Sequence, residues 1–300
     1  MKVWALILKA VETHGRCALV SVISAQGSVP RDAGAHMVVT PQGFHGSIGG
    51  GTLEWHAIAA AQAMLGRGPA VKMSTHSLGP DLGQCCGGRV NLATELFDTL
   101  SLEAVRGLAA REAQGPFAIT RNNVVLSFGE DRRCIYLFGA GHVGRALVLA
   151  LAPLLFDVSW IDPRPDAFPR AVPPNVRLAA RAELAEAPEG SLVFIMTHSH
   201  ALDLAIADAA LRNPSVAHVG LIGSATKRAR FGKRLREAGV AAARVAGLIC
   251  PIGIPGIRSK EPAVIAAATA AQIVMLDEAL RLATAEDRPH HGAQRVGEAW

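Results

Sequence analysis

The segment from Cys134 to Asp162 constrains the fold more than any other part of the chain. An apolar stretch leads into a glycine-rich turn, a helix-forming stretch follows, and a second apolar stretch ends in an acidic residue. Gly139, Gly141 and Gly144 match the pattern GxGxxG directly after the first stretch. The first such glycine permits a tight turn, the second lets a phosphate approach the backbone, and the third lets the helix pack on the strand. The segment predicts either a nucleotide-like binding unit or a Rossmann domain without a ligand.

The same turn places polar groups where a nucleotide-like ligand needs them. The expected helix begins at His142, and its first N–H groups carry a partial positive charge that suits a phosphate. Asp162 ends the second strand, where an acidic residue accepts a ribose hydroxyl. Arg164 lies nearby and favours a phosphate instead, so both interpretations stay open.

Strand and helix patterns alternate throughout the second half of the chain. Near-continuous apolar strands in such an alternation imply a parallel sheet covered by helices on both faces. In the usual strand order Thr197 and His198 come to the cleft, lining it or capping the next helix rather than binding a metal. The expected strands are 134–138, 157–161, 176–179, 191–196, 216–222 and 245–249, and the expected helices are 142–152, 181–186, 200–212, 225–238 and 262–282.

The first half has a different, mixed α/β pattern. An amphipathic helix is expected near the start of the chain, because Trp4, Leu8 and Val11 recur at helical spacing. The other expected elements are strands at 17–24, 35–40, 44–48, 71–77 and 89–97, helices after Gly51 and near 101–114, and a hairpin at 116–128.

We therefore expect two domains, both of the α/β class. A mixed α/β domain at 1–128 is followed by a Rossmann-like, doubly wound parallel-sheet domain at 134–284. The charged segment 129–133 is the expected linker, and residues 285–300 are expected to form a flexible tail.

Three consecutive glycines form the first unusual loop of the N-terminal half. Gly49, Gly50 and Gly51 precede an expected helix whose N-cap is Thr52. Backbone N–H groups exposed by such a run form a concave site for an anion, although a tight packing turn has the same sequence signature.

Two charged residues belong to the neighbourhood of this loop. Glu54 is expected either to cap the same helix or to accept hydrogen bonds from the N–H groups of a ligand. Arg31 is a candidate partner for a phosphate or a carbonyl group, and as a loop residue it has an ordinary solvated alternative.

The loop GQCCGG carries the most specific chemistry in the chain. Cys85 and Cys86 are adjacent and are followed by Gly87 and Gly88, outside any strand or helix pattern. Thiols in such a loop are accessible, and an anion-binding pocket favours the thiolate, a soft metal ligand and good nucleophile. A disulfide between neighbouring cysteines is strained, so we expect at least one free functional thiol.

Composition excludes several classes of partner. The five cysteines form no disulfide framework and no zinc-site spacing, and Cys17 and Cys134 begin apolar strands. A formal charge of +5 without a dense basic stripe, and an aromatic content of 5%, argue against nucleic-acid binding. No run approaches the roughly 20 apolar residues needed to span a bilayer, so a cytoplasmic protein without membrane contact is expected.

Taken together, these loops resemble the XdhC/CoxI family, the xanthine dehydrogenase accessory proteins. The resemblance runs through most of the chain in order, which makes it more specific than any one motif. The blocks that carry it are GSVPRDAGAHMVV, GSIGGGTLEW, QCCGGRV, FGAGHVGRAL, MTHSHALD, GLIGSATKRARF and CPIGIPGIRSKEPAVIAAATAAQIV.

The resemblance implies a molybdenum-cofactor chaperone rather than an enzyme that turns over a substrate. Such proteins bind the molybdopterin form of the cofactor, protect it, and present it to a cysteine desulfurase that replaces an oxo ligand by a sulfido ligand. They then deliver it to apo xanthine dehydrogenase. By resemblance Cys86, which begins the CGG element, is the expected contact near the metal, and the cleft of the Rossmann domain holds the pterin phosphate, a separate nucleotide or nothing.

One departure from the family pattern bears on this expectation. Many relatives have a cysteine where this chain has Thr52, so the metal contact depends on Cys85 and Cys86. The departure fits the xanthine dehydrogenase-type branch better than the carbon monoxide dehydrogenase-type branch. Two other functions remain open, an NAD(P)-dependent oxidoreductase and a thiol-based redox or persulfide sensor, and we expect a homodimer.

Overall fold

A computed structural model describes residues 1–66, 71–79, 87–121 and 124–286. The chain divides into two compact units, Met1–Asp131 and Arg132–Trp300. The division falls within the charged segment that the sequence marks as a linker. Each unit contains its own sheet and its own buried clusters of apolar side chains.

The first unit is built on an antiparallel sheet with the strand order β3-β2-β1-β5-β4. The long strands β1 and β5 lie at its centre and pair along most of their length. The strands are β1 (Arg16–Gln26), β2 (His36–Thr40), β3 (Gly43–Gly46), β4 (Val71–Ser77) and β5 (Arg89–Asp98).

Both faces of this sheet are covered. Alternate residues of β1 point to opposite faces, so Ala18 and Val20 face one apolar cluster while Cys17 and Leu19 face the other. The helix α2 (Gly51–Leu65) contributes to the first cluster. The second cluster includes side chains of α1 (Val3–His14), α3 (Leu102–Gln114) and the hairpin formed by β6 (Phe117–Arg121) and β7 (Val124–Phe128).

Glu112 joins two elements of the second face. Its buried carboxylate accepts hydrogen bonds from the backbone N–H groups of Val3, Trp4 and Ala5, at 2.7, 2.9 and 3.1 Å. The residue before α1, Lys2, provides no side-chain cap. A carboxylate near the C-terminal end of α3 therefore serves the N–H groups at the start of α1.

The second unit contains a parallel sheet with the strand order β10-β9-β8-β11-β12, the order of a Rossmann fold. The order reverses between β8 and β11, which is where such folds bind their ligands. The strands are β8 (Arg133–Phe138), β9 (Phe156–Ile161), β10 (Val176–Ala179), β11 (Ser191–Ile195) and β12 (Val216–Leu221).

Helices cover both faces of this sheet, as the apolar strands predict. One buried cluster joins the sheet to α5 (His200–Arg212) and α6 (Ala225–Glu237). The other joins it to α4 (His142–Leu151) and α8 (Pro262–Glu286).

Two elements of the second unit differ from the sequence prediction. Residues 245–249 do not form a strand, because α7 (Ala242–Ala246) contains the first two of them and only Ile249 bridges to Gly220. Residues 181–186 are predicted as a helix, but only the short 3-10 turn Leu184–Glu186 is helical.

The predicted limits of the C-terminal helix and tail also change. The helix α8 continues to Glu286, so the predicted tail from 285 overlaps it, and residues 287–300 lie outside the described part of the chain. Residues 262–284 of α8 are apolar enough to cross a membrane, with a mean hydropathy of 1.6, which the sequence prediction did not include. Ala266, Ala270 and Ile273 of this helix are buried in the core of the unit. A helix in the core of a folded domain can be as long and as apolar as a membrane-spanning one.

Candidate functional site

The three motif glycines in the turn between β8 and α4 differ in the space around them. Gly139 has a φ of +112°, and a Cβ added there would lie 2.3 Å from the carbonyl oxygen of Met196. A Cβ on Gly144 would lie 2.1 Å from the carbonyl oxygen of Gly139. At Gly141 no atom lies within 4 Å of an added Cβ. Packing therefore requires Gly139 and Gly144, whereas Gly141 borders open space that a ligand can enter.

The N-terminal end of α4 borders the same space. Gly141 is the N-cap residue, and no side chain among the described residues caps the helix there. Arg145 makes the first helical hydrogen bond, from its N–H group to the carbonyl oxygen of Gly141 at 2.9 Å. The earlier N–H groups of the helix, beginning with His142, suit an anionic ligand.

Asp162 lies at the turn, but its carboxylate is already engaged. The side chain is 1% exposed and accepts a hydrogen bond from the N–H group of Ala140 at 2.8 Å. Arg164 donates to both carboxylate oxygens, at 2.9 and 2.8 Å, and also through its own N–H group at 3.0 Å. The bonds from Arg164 and Ala140 hold the pKa of Asp162 well below its usual range, against the effect of burial. In this structure Asp162 fastens the turn, and a ribose hydroxyl would have to compete with Arg164 for it.

Polar residues at the end of β11 form a second buried network. Asp203 is 1% exposed and accepts hydrogen bonds from the N–H and hydroxyl groups of Thr197, at 3.1 and 2.7 Å. Lys227 donates to the same carboxylate at 2.7 Å and to the carbonyl oxygen of Ile222 at 2.9 Å. The network ties the ends of β11 and β12 together.

The histidines at this position belong to no metal-binding cluster among the residues that the structure describes. His198 and His200 are exposed, and the described residues contain no group of three histidine, cysteine or acidic side chains suited to a metal ion.

The part that Lys227 takes in this network was not predicted from the sequence, where Lys227 is one of several basic residues between 227 and 236. The available signal was Ser224, which caps α6 by accepting from the N–H group of Lys227 at 3.2 Å. That cap places Lys227 in the first turn of a helix that follows a glycine-containing strand end.

In the first unit, Gly49, Gly50 and Gly51 have φ values of +129°, +74° and +62°, so the loop is consistently left-handed. The carboxylate of Glu54 accepts hydrogen bonds from the hydroxyl group of Ser47 at 2.6 Å and from the N–H groups of Ile48 and Gly50 at 2.9 and 3.2 Å.

Glu54 therefore turns inward onto its own loop. Of the two roles expected for it, the structure shows binding of the loop that precedes the helix. Burial opposes ionisation of this carboxyl, but the hydrogen bonds from Ser47, Ile48 and Gly50 together hold its pKa below the usual value. Since these N–H groups already face a carboxylate, the expected anion site is occupied in part by the protein itself.

The prediction that Thr52 is the N-cap of α2 is wrong. The helix begins one residue earlier, at Gly51, with Gly50 in the N-cap position and no side-chain cap. Glycine takes the left-handed conformation that this position has here, and Glu54 binds its N–H group from within the first turn. Thr52 is instead an exposed residue inside the helix.

One loop brings the separate motifs of the first unit together. A Cβ added to Gly49 would lie 2.5 Å from the ring of Pro30 and 3.6 Å from the side chain of Arg31. On the other side, a Cβ added to Gly88 would lie 2.5 Å from the carbonyl oxygen of Ser28. The loop after β1 therefore lies between the glycine run and the end of the CCGG motif. Arg31 is exposed beside the glycine run.

The central residues of the CCGG motif fall outside this description. Cys85 and Cys86 lie in the segment 80–86, outside the described residues. Gly87 is exposed, and Gly88 is buried where its carbonyl oxygen accepts from the N–H group of Leu78 at 2.7 Å. The contact proposed for Cys86 therefore stays a prediction.

The other cysteines have environments that disfavour a thiolate. Burial raises the pKa of the Cys17 thiol to about 12. Burial also raises the pKa of Cys134 and of Cys250. Among the described cysteines none has a lowered pKa, which directs attention to Cys85 and Cys86 for any thiol chemistry.

Comparisons with known proteins give two relatives that extend over most of the chain. Protein YqeB of Escherichia coli K12, described as uncharacterized, is 27% identical over 288 residues, which cover 92% of this chain and 46% of YqeB. The chain thus spans about half the length of that relative. A crystal structure from Bacillus halodurans, described as a xanthine dehydrogenase, has a TM-score of 0.73 at 18% identity and covers 97% of this chain and 98% of that chain. This likeness supports the fold.

Family models match both units. Residues 135–273 match the XdhC Rossmann domain, and residues 10–75 match the XdhC and CoxI family. The two matches together cover more than half of the chain, and the solved relative has the same fold over nearly all of it. The chain belongs to the XdhC and CoxI family.

Proposed function

We propose that this protein is an accessory factor in the maturation of xanthine dehydrogenase and that it binds the molybdenum cofactor. The observation that carries the proposal is the presence of both family regions, one in each compact unit. A solved structure described as a xanthine dehydrogenase has the same fold over nearly all of the chain. In this proposal the chain holds and transfers a ligand and does not turn over a substrate.

The residues of the first unit fit the chemistry of this cofactor. A phosphate needs cations and N–H donors, and Arg31 lies exposed beside the left-handed glycine run. At Gly50 no atom lies within 4 Å of an added Cβ, so a ligand can approach the backbone there. Glu54 keeps the loop in this shape by binding the N–H groups of Ile48 and Gly50.

Cys86 is the residue we propose for the contact near the metal, with Cys85 beside it. When bound, the cofactor supplies a thiophilic molybdenum centre, and a thiolate is a suitable soft ligand for it. Gly87 and Gly88 follow directly, and the buried Gly88 packs closely against the backbone of Ser28 and accepts a hydrogen bond from the N–H group of Leu78. The partners in this proposal are a cysteine desulfurase as the sulfur donor and apo xanthine dehydrogenase as the recipient.

Anaerobic cofactor binding tests the proposal directly. The full chain is mixed with molybdenum cofactor and gel-filtered, and the co-eluting molybdenum and pterin are measured. We expect near-stoichiometric retention of both by the wild type and a loss of at least tenfold in Cys86→Ala. Transfer to apo xanthine dehydrogenase, with and without a desulfurase, then tests delivery.

Cys134→Ala is the matched control, because it removes a thiol that is partly buried in β8 and whose pKa is raised. It should retain the cofactor like the wild type. Retention of neither molybdenum nor pterin by the wild type, under conditions where the cofactor survives, would contradict the proposal. Reversible oxidation of Cys85 or Cys86 without any cofactor binding would favour a thiol-based sensor instead.

A second candidate function is nucleotide binding at the β8–α4 turn. It is favoured by the open space at Gly141 and by the start of α4, which lacks a side-chain cap. Titration of NADH, NADPH and adenine nucleotides into the wild type and Gly141→Val tests it, because a side chain there would block close approach of a phosphate. Binding that Gly141→Val abolishes supports a nucleotide site, and turnover of NADH would favour an oxidoreductase.

A further inference from the structure

A depression of about 470 Å³ lies beside the β12–α6 turn in the second unit. Its lining combines the turn 222–224 with His200 from the start of α5 and with Lys227 and Arg230 from α6. None of the described residues that line it is acidic. Basic side chains from two helices therefore converge on one concave surface, which the proposed function does not use.

Lys227 is fixed at the inner side of this depression. Its ammonium group lies 2.7 Å from the carboxylate of Asp203 and 5.3 Å from the ring centroid of Phe231. Asp203 is almost completely buried, whereas 10% of the Lys227 side chain is exposed. The positive partner of this ion pair is thus the one that faces the depression, and the pair holds it in a single position.

Arg230 and two hydroxyl groups provide donors that can reach a ligand. Arg230 is exposed and makes no ion pair or hydrogen bond with any residue that the structure describes. Ser224 accepts from the N–H group of Lys227, which leaves its own hydroxyl hydrogen available to donate. Thr226 adds a second hydroxyl group to the lining.

We propose that this depression binds the phosphate group of a small phosphorylated molecule. The depression offers a guanidinium group, an ammonium group and two hydroxyl groups, a set of several donors that suits the several oxygen atoms of a phosphate. The volume lies within the range of about 300–1,000 Å³ for small-molecule sites, so it accommodates more than the phosphate itself. The inference is independent of the cofactor proposed above, because none of its residues belongs to the first unit or to the β8–α4 turn.

Titration of inorganic phosphate into the full chain, followed by isothermal calorimetry and ³¹P nuclear magnetic resonance, tests this site. Sodium chloride keeps the ionic strength constant, and acetate is the carboxylate probe. We expect saturable phosphate binding that is tighter than acetate binding. Arg230→Gln should weaken phosphate binding about tenfold or more, because it removes a charge-assisted donor.

Arg236→Gln is the matched control, since this arginine is exposed on the same helix but does not line the depression. It should bind phosphate like the wild type, and both variants should keep the wild-type melting temperature. Three results would each overturn the inference: no saturable binding, equal weakening by both substitutions, or binding that survives Arg230→Gln but is lost in Gly141→Val. The last result would place the phosphate at the β8–α4 turn.

Discussion

Gly141 and Gly144 lie in the same turn, yet a methyl group added to each would meet different surroundings. One position borders open space, whereas the other touches the carbonyl oxygen of Gly139. The GxGxxG pattern correctly locates the turn, because glycine spacing reports backbone geometry directly. The pattern does not show which group binds the carboxylate of Asp162. Arg164 binds it in place of a ribose hydroxyl, and the orientation of Arg164 depends on the folded loop.

Replacement of Gly144 by alanine tests the packing requirement. We expect Gly144→Ala to lower the free energy of unfolding by about 2–3 kcal/mol, because the added methyl group overlaps a backbone atom that cannot move away cheaply. Urea denaturation of the full chain gives the value. Gly141→Ala is the control. It should lower the free energy of unfolding by no more than about 1 kcal/mol, because alanine is a weaker N-cap residue than glycine. Equal costs for the two substitutions would contradict the assignment.

Asp162 should make stability depend on pH in the acid range. Its pKa is lowered in the folded protein, so it binds a proton less readily there than in the unfolded chain. Its contribution is therefore present above the ordinary aspartate pKa of about 3.9 and is lost as the pH falls through and below that value.

We expect Asp162→Asn to lower the free energy of unfolding by about 1–2 kcal/mol at pH 7, a modest value because Arg164 is half exposed and screened by water. The difference from the wild type should shrink between about pH 5 and pH 3. Asp166→Asn, an exposed change in the following turn, should have little effect at any pH. A difference for Asp162→Asn that stays constant with pH would rule out the charged interaction.

At two helices of the first unit, glutamates that do not occupy the N-cap position bind the N–H groups at or before the helix start. Glu54 lies within the first turn of α2 and binds the loop that precedes this helix. Glu112 lies near the C-terminal end of α3 and binds the N–H groups at the start of α1. Capping rules describe residues next to the helix start, so they favoured Thr52 and gave no information on Glu112. Periodicity, in contrast, located most helices and strands, because alternation and helical spacing reflect burial of one face.

Glu112→Gln tests the contact between α3 and α1. We expect a loss of about 2 kcal/mol in the free energy of unfolding, because three N–H groups lose a charged acceptor and one side-chain oxygen becomes an amide group. Hydrogen exchange should accelerate most at Val3, Trp4 and Ala5. Glu103→Gln, an exposed change in the first turn of the same helix, serves as the control and should cost only a few tenths of a kcal/mol. Unchanged exchange at the start of α1 would contradict this role.

Across the whole molecule, the sequence predicted the class of each half more reliably than the edges of its sheets. The parallel order of the second unit is confirmed, since buried apolar strands alternating with helices have few other solutions. Residues 245–249 were predicted as a strand because they are apolar, but only Ile249 pairs with the sheet. The expectation that no run is long enough to span a bilayer did not take into account the length of α8, in which residues 262–284 are apolar enough to cross a membrane.

The buried pair of Asp203 and Lys227 has a consequence for how this sequence can vary. Loss of Lys227 alone would leave the buried carboxylate of Asp203 without a cation. Loss of Asp203 alone would leave the largely buried ammonium group of Lys227 without its anion. Replacement of both by apolar residues of similar volume avoids either state. We therefore expect descendants of this sequence to keep both residues or to exchange both. In descendants that exchange both residues, the β12–α6 turn would remain, but the positive charge of Lys227 beside it would be lost.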